Sequence, residues 1–594
     1  MNYQNRNEIE EKYKWDLTKR YKNDEAWEKD FNEVKKLLNN ILIYKNKVLE
    51  CEKNLFAALE IKFETKCNLE KLYCYANCKH DEDVENNKYA LMLNKIISLS
   101  YEFSEKEAYL TPEILKGSKT LLKKYIGSDI LKKYKFYLTN LLREKEHYLN
   151  EKEEQIVSKL TSTRSVYENI SNVLTNSVID YGKVTVDGHK IELLNSNYRQ
   201  IVTNQNRKTR KEAFLKLTTN LKKYENIYGM NLIASMKQAK SLSEIYKYKS
   251  VLEMDLFLSN IPDKVVSNLY EVIEKRLDVY QDYFKMIKKN LKLKELEYYD
   301  KEAQLISTDQ KFSIEETKAI LLKSLEVLGQ DYTKLLKKAF DDRWIDFGCY
   351  KGKTSLIYSI CNYGDNPLVL TNYLGEFKDI STLAHELGHA LHSYLSMERT
   401  YHEFYHDILT AEVASLTNEI LFSNYIINNS NDKDLKLTAI YNILHIIQNN
   451  LYDACLEGKL ENEVYDLLEK GNEVNTAMLN EMIYKFRKEY YGDLVKINDN
   501  VSLMWIRRMH YFRPYYLFKY ATGISSAIYI SKKILNNEDN IKEKYLAFLK
   551  KGGSNYPTEL LLEMGVDLTK PEVINEAINY MDYLIDEFNK ISEE

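Results

Sequence analysis

The segment His385-Glu386-Leu387-Gly388-His389 carries residue types at a spacing that can do chemistry. Two His at i and i+4 project from one face of a helix. That spacing suits a tetrahedral zinc ion. Glu386 follows the first His, where its carboxylate can reach a water at the metal and act as a base, which is the H-E-x-x-H pattern. The chain holds only 10 His, and five of them (His385, His389, His392, His402 and His406) fall in one short span. Chance would produce H-[DE]-x-x-H about 0.03 times in a chain of this composition, so two unrelated surface His are the weaker explanation.

A catalytic zinc needs a third protein ligand and an open position. The extended form with a third His is absent, because positions 392 and 395 are His and Leu. Downstream candidates are Glu398, Glu403, Glu412 and Glu419. The first two lie too near the end of the motif helix to fold back on it. Glu412, Ser415 and Glu419 share one face of a predicted helix over 409–427, by their spacing of 3 and 4. Two carboxylates and a hydroxyl among Leu, Val and Ile make sense if that face meets the metal helix. Glu412 would then ligate, and Glu419 would accept a hydrogen bond from a ligand His.

The elements that must position these groups are mostly helices. Only 6 Pro and 18 Gly interrupt 594 residues, so long helices are favoured. Residues 6–180 read as successive amphipathic helices, among them 25–38 and 55–76. Cys67, Cys74 and Cys78 are spaced 7 and 4, which places them on one helix face, and they read as core. Val184-Thr185-Val186 and Ile191-Glu192-Leu193 flank Asp187-Gly188-His189-Lys190, a hairpin signal. From 204 the pattern is helical again, to beyond 288. A second irregular zone, 344–378, contains a predicted strand over 367–373. Gly375 then turns the chain, and Asp379 or Ser381 is placed to cap the motif helix, whose apolar residues include Ile380, Leu383, Leu387 and Leu391.

Composition excludes other classes. The net charge of -4, with Lys interleaved among Glu, offers no nucleic-acid footprint. Seven Cys are too few and odd in number for a disulfide framework. The polar start Met1-Asn2-Tyr3-Gln4 and the lack of a long apolar run point away from membranes and towards a cytoplasmic protein. The 49 Tyr read first as packing residues of helix faces.

Three stretches together carry a family likeness: Asn366-Pro367-Leu368-Val369-Leu370-Thr371-Asn372-Tyr373, Leu383 to Ser393 around the motif, and Ala411-Glu412-Val413-Ala414-Ser415-Leu416-Thr417-Asn418-Glu419. Weaker support comes from 143–149 and from Tyr520-Ala521-Thr522-Gly523. With these the chain resembles the oligoendopeptidase F branch of the M3 zinc metallopeptidases, relatives of thimet oligopeptidase, over nearly its whole length. The resemblance implies a mainly α fold, two lobes about a deep central channel, a zincin-type motif helix and a small β-sheet. It implies a helical region over 1–110, an oligopeptidase F-like domain over 111–200 ending in the hairpin, and a catalytic domain over 201–594. It implies one zinc on His385, His389 and Glu412, with Glu386 as base and oligopeptides as substrates. Family members also place His and Tyr side chains over the substrate carbonyl. Here the matching region supplies His510, Tyr515 and Tyr520, then Tyr516, although the Gly-rich loop of the thimet branch is missing.

The chemistry expected is metal-assisted peptide hydrolysis. Glu386 moves the proton, and His510 with a Tyr hydroxyl holds the oxyanion. The stretch Leu368, Leu370 and Asn372 is expected to pair with extended substrate by β-addition. Two alternatives stand beside this one. An exopeptidase would clamp the substrate C-terminus with a cation such as Arg507, Arg508 or Arg513. A peptide-binding scaffold with a structural zinc would add a fourth ligand, His392 or His406. Cleavage preference, natural substrate and oligomeric state are not encoded in any motif.

Overall fold

The computed structural model describes residues 3–161, 163–306, 310–538 and 540–594. The fold is mainly α, with two two-stranded sheets and one three-stranded sheet among the described residues. No described helix is long and apolar enough to cross a membrane. The chain folds into two compact units, each assembled from three separated segments. The first unit is Met1–Glu151, Gln310–Tyr425 and Ile530–Gly565, and the second is Lys152–Asp309, Ile426–Tyr529 and Val566–Glu594. Regions 111–200 and 201–594 each contribute to both units.

In the first unit the helix Glu52–Glu82 forms the spine of the core. Its buried Leu55, Leu59, Leu69 and Leu72 recur at helical spacing and pack with Trp27, Ile96 and Phe103. The indole N–H of Trp27 donates to the Leu72 carbonyl at 2.9 Å, which satisfies a buried donor. Cys74 and Cys78 are buried on this helix as free thiols.

The same core reaches Leu368 and Leu370. The strand Leu368–Leu370 pairs in parallel with Ile345–Asp346 and antiparallel with Tyr358–Ile360, so it is the centre of the three-stranded sheet. This corrects the expectation that Leu368, Leu370 and Asn372 receive substrate. The strand is buried with both of its edges paired, and the Asn372 amide donates to the Thr354 carbonyl at 3.1 Å. The half-buried edge strand is Tyr358–Ile360.

A charged network anchors this sheet. Lys353 and Asp346 are both buried and meet at 2.7 Å, and Arg6 reaches the other Asp346 oxygen at 2.6 Å. The Lys353 ammonium also donates to the carbonyls of Gly348 at 2.6 Å and Thr371 at 2.7 Å. Its three donors are thereby used, which is what makes a buried cation tolerable.

Beyond the strand, Gly375 turns the chain with φ 85, and a Cβ there would sit 2.8 Å from the Phe312 carbonyl oxygen. Glycine alone fits both demands. The helix Phe377–Ser396 follows. Its N-cap is Glu376, in a capping box with Asp379, so neither Asp379 nor Ser381 is the cap. Asp379 stands three residues into the box, where its carboxylate accepts from the Glu376 and Leu374 backbone N–H groups.

The second unit contains the hairpin Lys183–Val186 with His189–Glu192. Asp187 (φ 49) and Gly188 (φ 84) both take positive φ in its turn, as the Asp-Gly signal requires. The unit also contains the long helices Arg207–Lys222, Glu225–Ile245, Ala454–Glu469 and Thr476–Tyr491, the first of which packs on the hairpin through Thr209, whose hydroxyl donates to the Thr185 carbonyl at 2.9 Å.

Removing the Lys353 ammonium strands Asp346 and two carbonyls. Breaking a buried pair costs about 3–5 kcal/mol. The substitution Lys353→Met is expected to lower the urea midpoint of the full chain, followed by circular dichroism, at the low end of that range because Arg6 remains. An unchanged midpoint would show that the network contributes nothing to stability.

Candidate metal centre

Two helices of the first unit build the centre. Phe377–Ser396 carries His385, Glu386 and His389, and Ile408–Asn429 carries Glu412, Ser415 and Glu419. They touch backbone to backbone at Gly388. A Cβ on Gly388 would lie 2.6 Å from Ser415 Cα and 2.8 Å from the Ala414 carbonyl oxygen. Glycine inside a helix costs about 1 kcal/mol relative to alanine. Its presence between the two His answers to this contact. The Asn418 amide ties the helices further by donating to the Ala384 carbonyl at 3.2 Å.

That contact brings one ligand atom each of His385, His389 and Glu412 to within 4.8 Å of one another. Tetrahedral zinc with bonds of about 2.1 Å spaces its ligands about 3.4 Å apart, so side-chain adjustment alone closes the set. His385 Nε2 stands 3.7 Å from Glu412 Oε2. The other ring nitrogen, Nδ1, lies 3.2 Å from Glu419 Oε2. Glu419 is in turn held by the Ser381 hydroxyl, which donates at 2.6 Å. With its proton on Nδ1, facing Glu419, His385 offers the Nε2 lone pair to a metal. The Ser415 hydroxyl lies 3.4 Å from Glu412 Oε2. The three candidate ligands are half-buried, which leaves room for a further ligand.

The charge pattern fits a cation. Glu386, Glu412 and Glu419 surround two imidazoles, and no Lys or Arg pairs with these carboxylates among the described residues. Burial pushes the Glu412 and Glu386 carboxyls up, against the pull of His385. The Ser359 backbone on the edge strand is near enough to Glu386 to oppose that rise. Burial disfavours the His385 imidazolium, yet Glu419, Glu412 and Glu386 together raise it to about 9. His389 is pushed well below its ordinary value by burial and by His385.

His392 and His406 do not join the group. Their rings stack at 3.9 Å with 9° between planes, and Phe548 packs on the pair. A closed four-ligand structural site is therefore not assembled among the described residues. Sequence reasoning missed Ser381, Ser359, Asn418 and Gly388. Ser381 stands one turn before His385 on the same face, and a mid-helix Gly is itself a packing signal. The Ser359 contact has no sequence signature.

The remaining predicted residues belong to the second unit. His510 sits in the short 3-10 turn Met509–Phe512, with the helix Leu517–Leu535 after it. The His510 ring stacks on Tyr516 at 5.5 Å and meets the edge of Tyr520 at 5.6 Å. Its Nε2 is 3.5 Å from the Tyr520 hydroxyl, a long contact, and its Nδ1 is buried with no protein partner. Burial and the neighbouring Arg508 and Arg513 push this imidazole down to about 4, so it is neutral near pH 7. Tyr515 differs. It is buried at φ 52, its ring stacks on Tyr465, and its backbone N–H donates to Glu461 at 2.8 Å. That ring is a packing element of its own unit, unlike the half-buried Tyr516 and Tyr520.

The chain matches the family model for peptidase family M3 over residues 200–580 and that for oligopeptidase F over residues 113–181. It is 31% identical over 590 residues to the oligopeptidase PepF of Bacillus subtilis, covering 99% of this chain and 88% of that protein. It is 33% identical to an oligoendopeptidase F homolog of Borreliella burgdorferi, covering 99% of each. Among solved structures, a putative peptidase from Chlamydophila abortus superposes with a TM-score of 0.90 at 28% identity, covering 99% of this chain and 100% of that one. The oligoendopeptidase-F of Enterococcus faecium superposes at 0.76 and 24% identity, covering 96% and 99%, a likeness of fold.

The Gly388 contact yields a direct test. A methyl group there must push two backbones apart, and overpacking of this kind costs typically ~1–3 kcal/mol. Gly388→Ala is expected to lower both the thermal midpoint and zinc affinity, the latter read by competition with a chromophoric chelator. Retention of both would mean that helix approach at this point does not hold the ligand set together.

Proposed function

The chain belongs to peptidase family M3 and is a metalloendopeptidase acting on oligopeptides, and we propose that it works through one zinc ion on His385, His389 and Glu412 with Glu386 as general base. The observation that carries this reading is the convergence of those three ligand atoms across two helices, with Glu386 beside them. Zinc bound there supplies Lewis-acid polarisation of the scissile carbonyl. The protein side chains do the rest. Glu419 holds His385 in the tautomer that leaves Nε2 free. Glu386 takes a proton from the attacking water and returns it to the leaving amine.

Substrate pairing is assigned to the edge strand Tyr358–Ile360, because Leu368–Leu370 has both edges filled. An extended peptide added there would gain main-chain hydrogen bonds without dependence on sequence. For the oxyanion, His510 and Tyr520 are the proposed donors, with Tyr516 as a binding residue. The neutral state of His510 suits donation of an N–H rather than a permanent charge. Tyr515 is set aside, since its ring is engaged with Tyr465.

Two experiments test the assignments. Glu386→Gln keeps the shape of the side chain and cannot take up the proton. It is expected to bind zinc normally and to cleave a blocked oligopeptide roughly 10² to 10⁴-fold more slowly. Glu412→Ala is the control, expected to lose bound zinc while keeping its helical circular dichroism. Near-normal turnover of zinc-loaded Glu386→Gln would refute the base assignment.

The donors are tested separately. His510→Ala and Tyr520→Phe are each expected to lower kcat by about 10² to 10³ with KM little changed and zinc content intact, since such donors matter most for the tetrahedral intermediate. Tyr515→Phe is expected to behave like the parent. The reverse pattern, with Tyr515→Phe impaired and Tyr520→Phe active, would overturn the choice.

A further inference from the structure

The second unit contains a cavity of about 310 Å³ whose charge is unbalanced. Lys301, Arg487, Arg508, Arg507 and Arg199 line it, against only three carboxylates, Glu302, Asp453 and Glu457. The carboxylates are already engaged. Lys301 meets Asp453 and Glu302 at 2.8 Å each, and Glu457 takes Arg508 and, at 3.7 Å, Arg487. Arg199 and Arg507 pair with no carboxylate among the described residues.

Arg507 is the sharper case. Its Nε donates to the Asn195 side-chain oxygen at 2.9 Å and its Nη2 to the Asn195 carbonyl at 3.3 Å. Its guanidinium lies 4.4 Å over the Tyr198 ring. Neutral partners of this kind orient a cation without cancelling it, and burial pushes the Arg507 guanidinium down from its ordinary value. Arg507 is half-buried, so its charge is only partly solvated and favours a counter-charge arriving in the cavity. A second sign comes from Arg487, which is 2% exposed and keeps its Nε without any hydrogen-bond partner. A buried donor left unsatisfied can be met by a water, an ion or a ligand in the cavity that Arg487 lines.

We propose that this cavity is an anion site for the C-terminal carboxylate of a peptide. Two observations favour a peptide over a free inorganic ion. Guanidinium groups pair with carboxylate through two parallel hydrogen bonds. The cavity also has aromatic walls, Tyr198, Tyr298 and Tyr299, all buried, against which a terminal side chain can pack. Its volume falls at the small end of ligand pockets, about 300–1,000 Å³, and exceeds what a bare ion needs. The source of the peptide rests on the oligopeptidase reading above, while the anion site itself rests on the cavity.

The test uses one labelled octapeptide sequence ending in a carboxylate or in a carboxamide, with binding to the full chain followed by fluorescence anisotropy. Metal is removed so that neither form is cleaved. Charge-assisted hydrogen bonds are worth enough that the acid is expected to bind about 10- to 100-fold more tightly than the amide. Arg507→Gln should bring acid binding down to that of the amide. Arg199→Gln, at an exposed position where folding is not at risk, should reduce it in the same direction. Added inorganic phosphate should weaken the acid and leave the amide unchanged. Equal binding of acid and amide by the unmodified protein overturns the proposal. Phosphate binding that is lost in Arg507→Gln, together with equal binding of the two peptides, makes the occupant an inorganic anion and overturns it equally. Failure of the zinc-loaded chain to cleave either peptide would sink the hydrolytic reading instead, and a persisting difference between acid and amide would still support the site.

Discussion

The backbone contact between Gly388 and Ser415 is the constraint on which the candidate metal centre depends. Two helices that bring Cα against Cα at this distance have no freedom to slide, because interiors are close-packed. The register of that contact decides which residues of Ile408–Asn429 face His385 and His389. With Ser415 opposite Gly388, Glu412 falls at the ligand group, and Glu419 falls behind His385. Any larger residue at 388 would push the two helices apart and lengthen the distances from His385 to Glu412 and Glu419.

Charge follows the same economy in each unit. The first gathers three carboxylates around two imidazoles with no Lys or Arg paired to them, an arrangement stable only with a cation or a proton among them. The second lines a cavity with two more cations than carboxylates. Two other buried charge groups are paired among themselves. Lys353 with Asp346 and Arg6, and Asp300 with Arg207 and Arg210, leave little to bind. Desolvation makes an open imbalance unfavourable until a ligand arrives.

Local signals are legible where the geometry lies within one element. The i,i+4 pair His385 and His389 and the spacing of Glu412, Ser415 and Glu419 lie within single helices, whose geometry is invariant. Asp187-Gly188 forms its hairpin because the turn needs two positive φ angles. The cap of the motif helix was misplaced because Glu376 and Asp379 act as a reciprocal pair, and either acid alone resembles a cap. The stretch at 368–370 is a strand as expected, but an apolar strand reads the same at the edge of a sheet or at its centre. Its two neighbours, 345–346 and 358–360, come from segments with weak strand patterns of their own.

By itself, then, the sequence determined the metal motif, the helical class and the carboxylate face, since each is a periodicity along one element. It did not determine which tyrosines are packing, because 49 of them carry the same side chain. Tertiary structure decided that Tyr515 stacks on Tyr465 while Tyr516 and Tyr520 flank His510. It also decided that Lys301 and Arg199 share one cavity with Arg487, Arg507 and Arg508. These residues are separated by up to some three hundred positions in the chain. Their meeting depends on how whole helices pack, and no spacing within a single element records that.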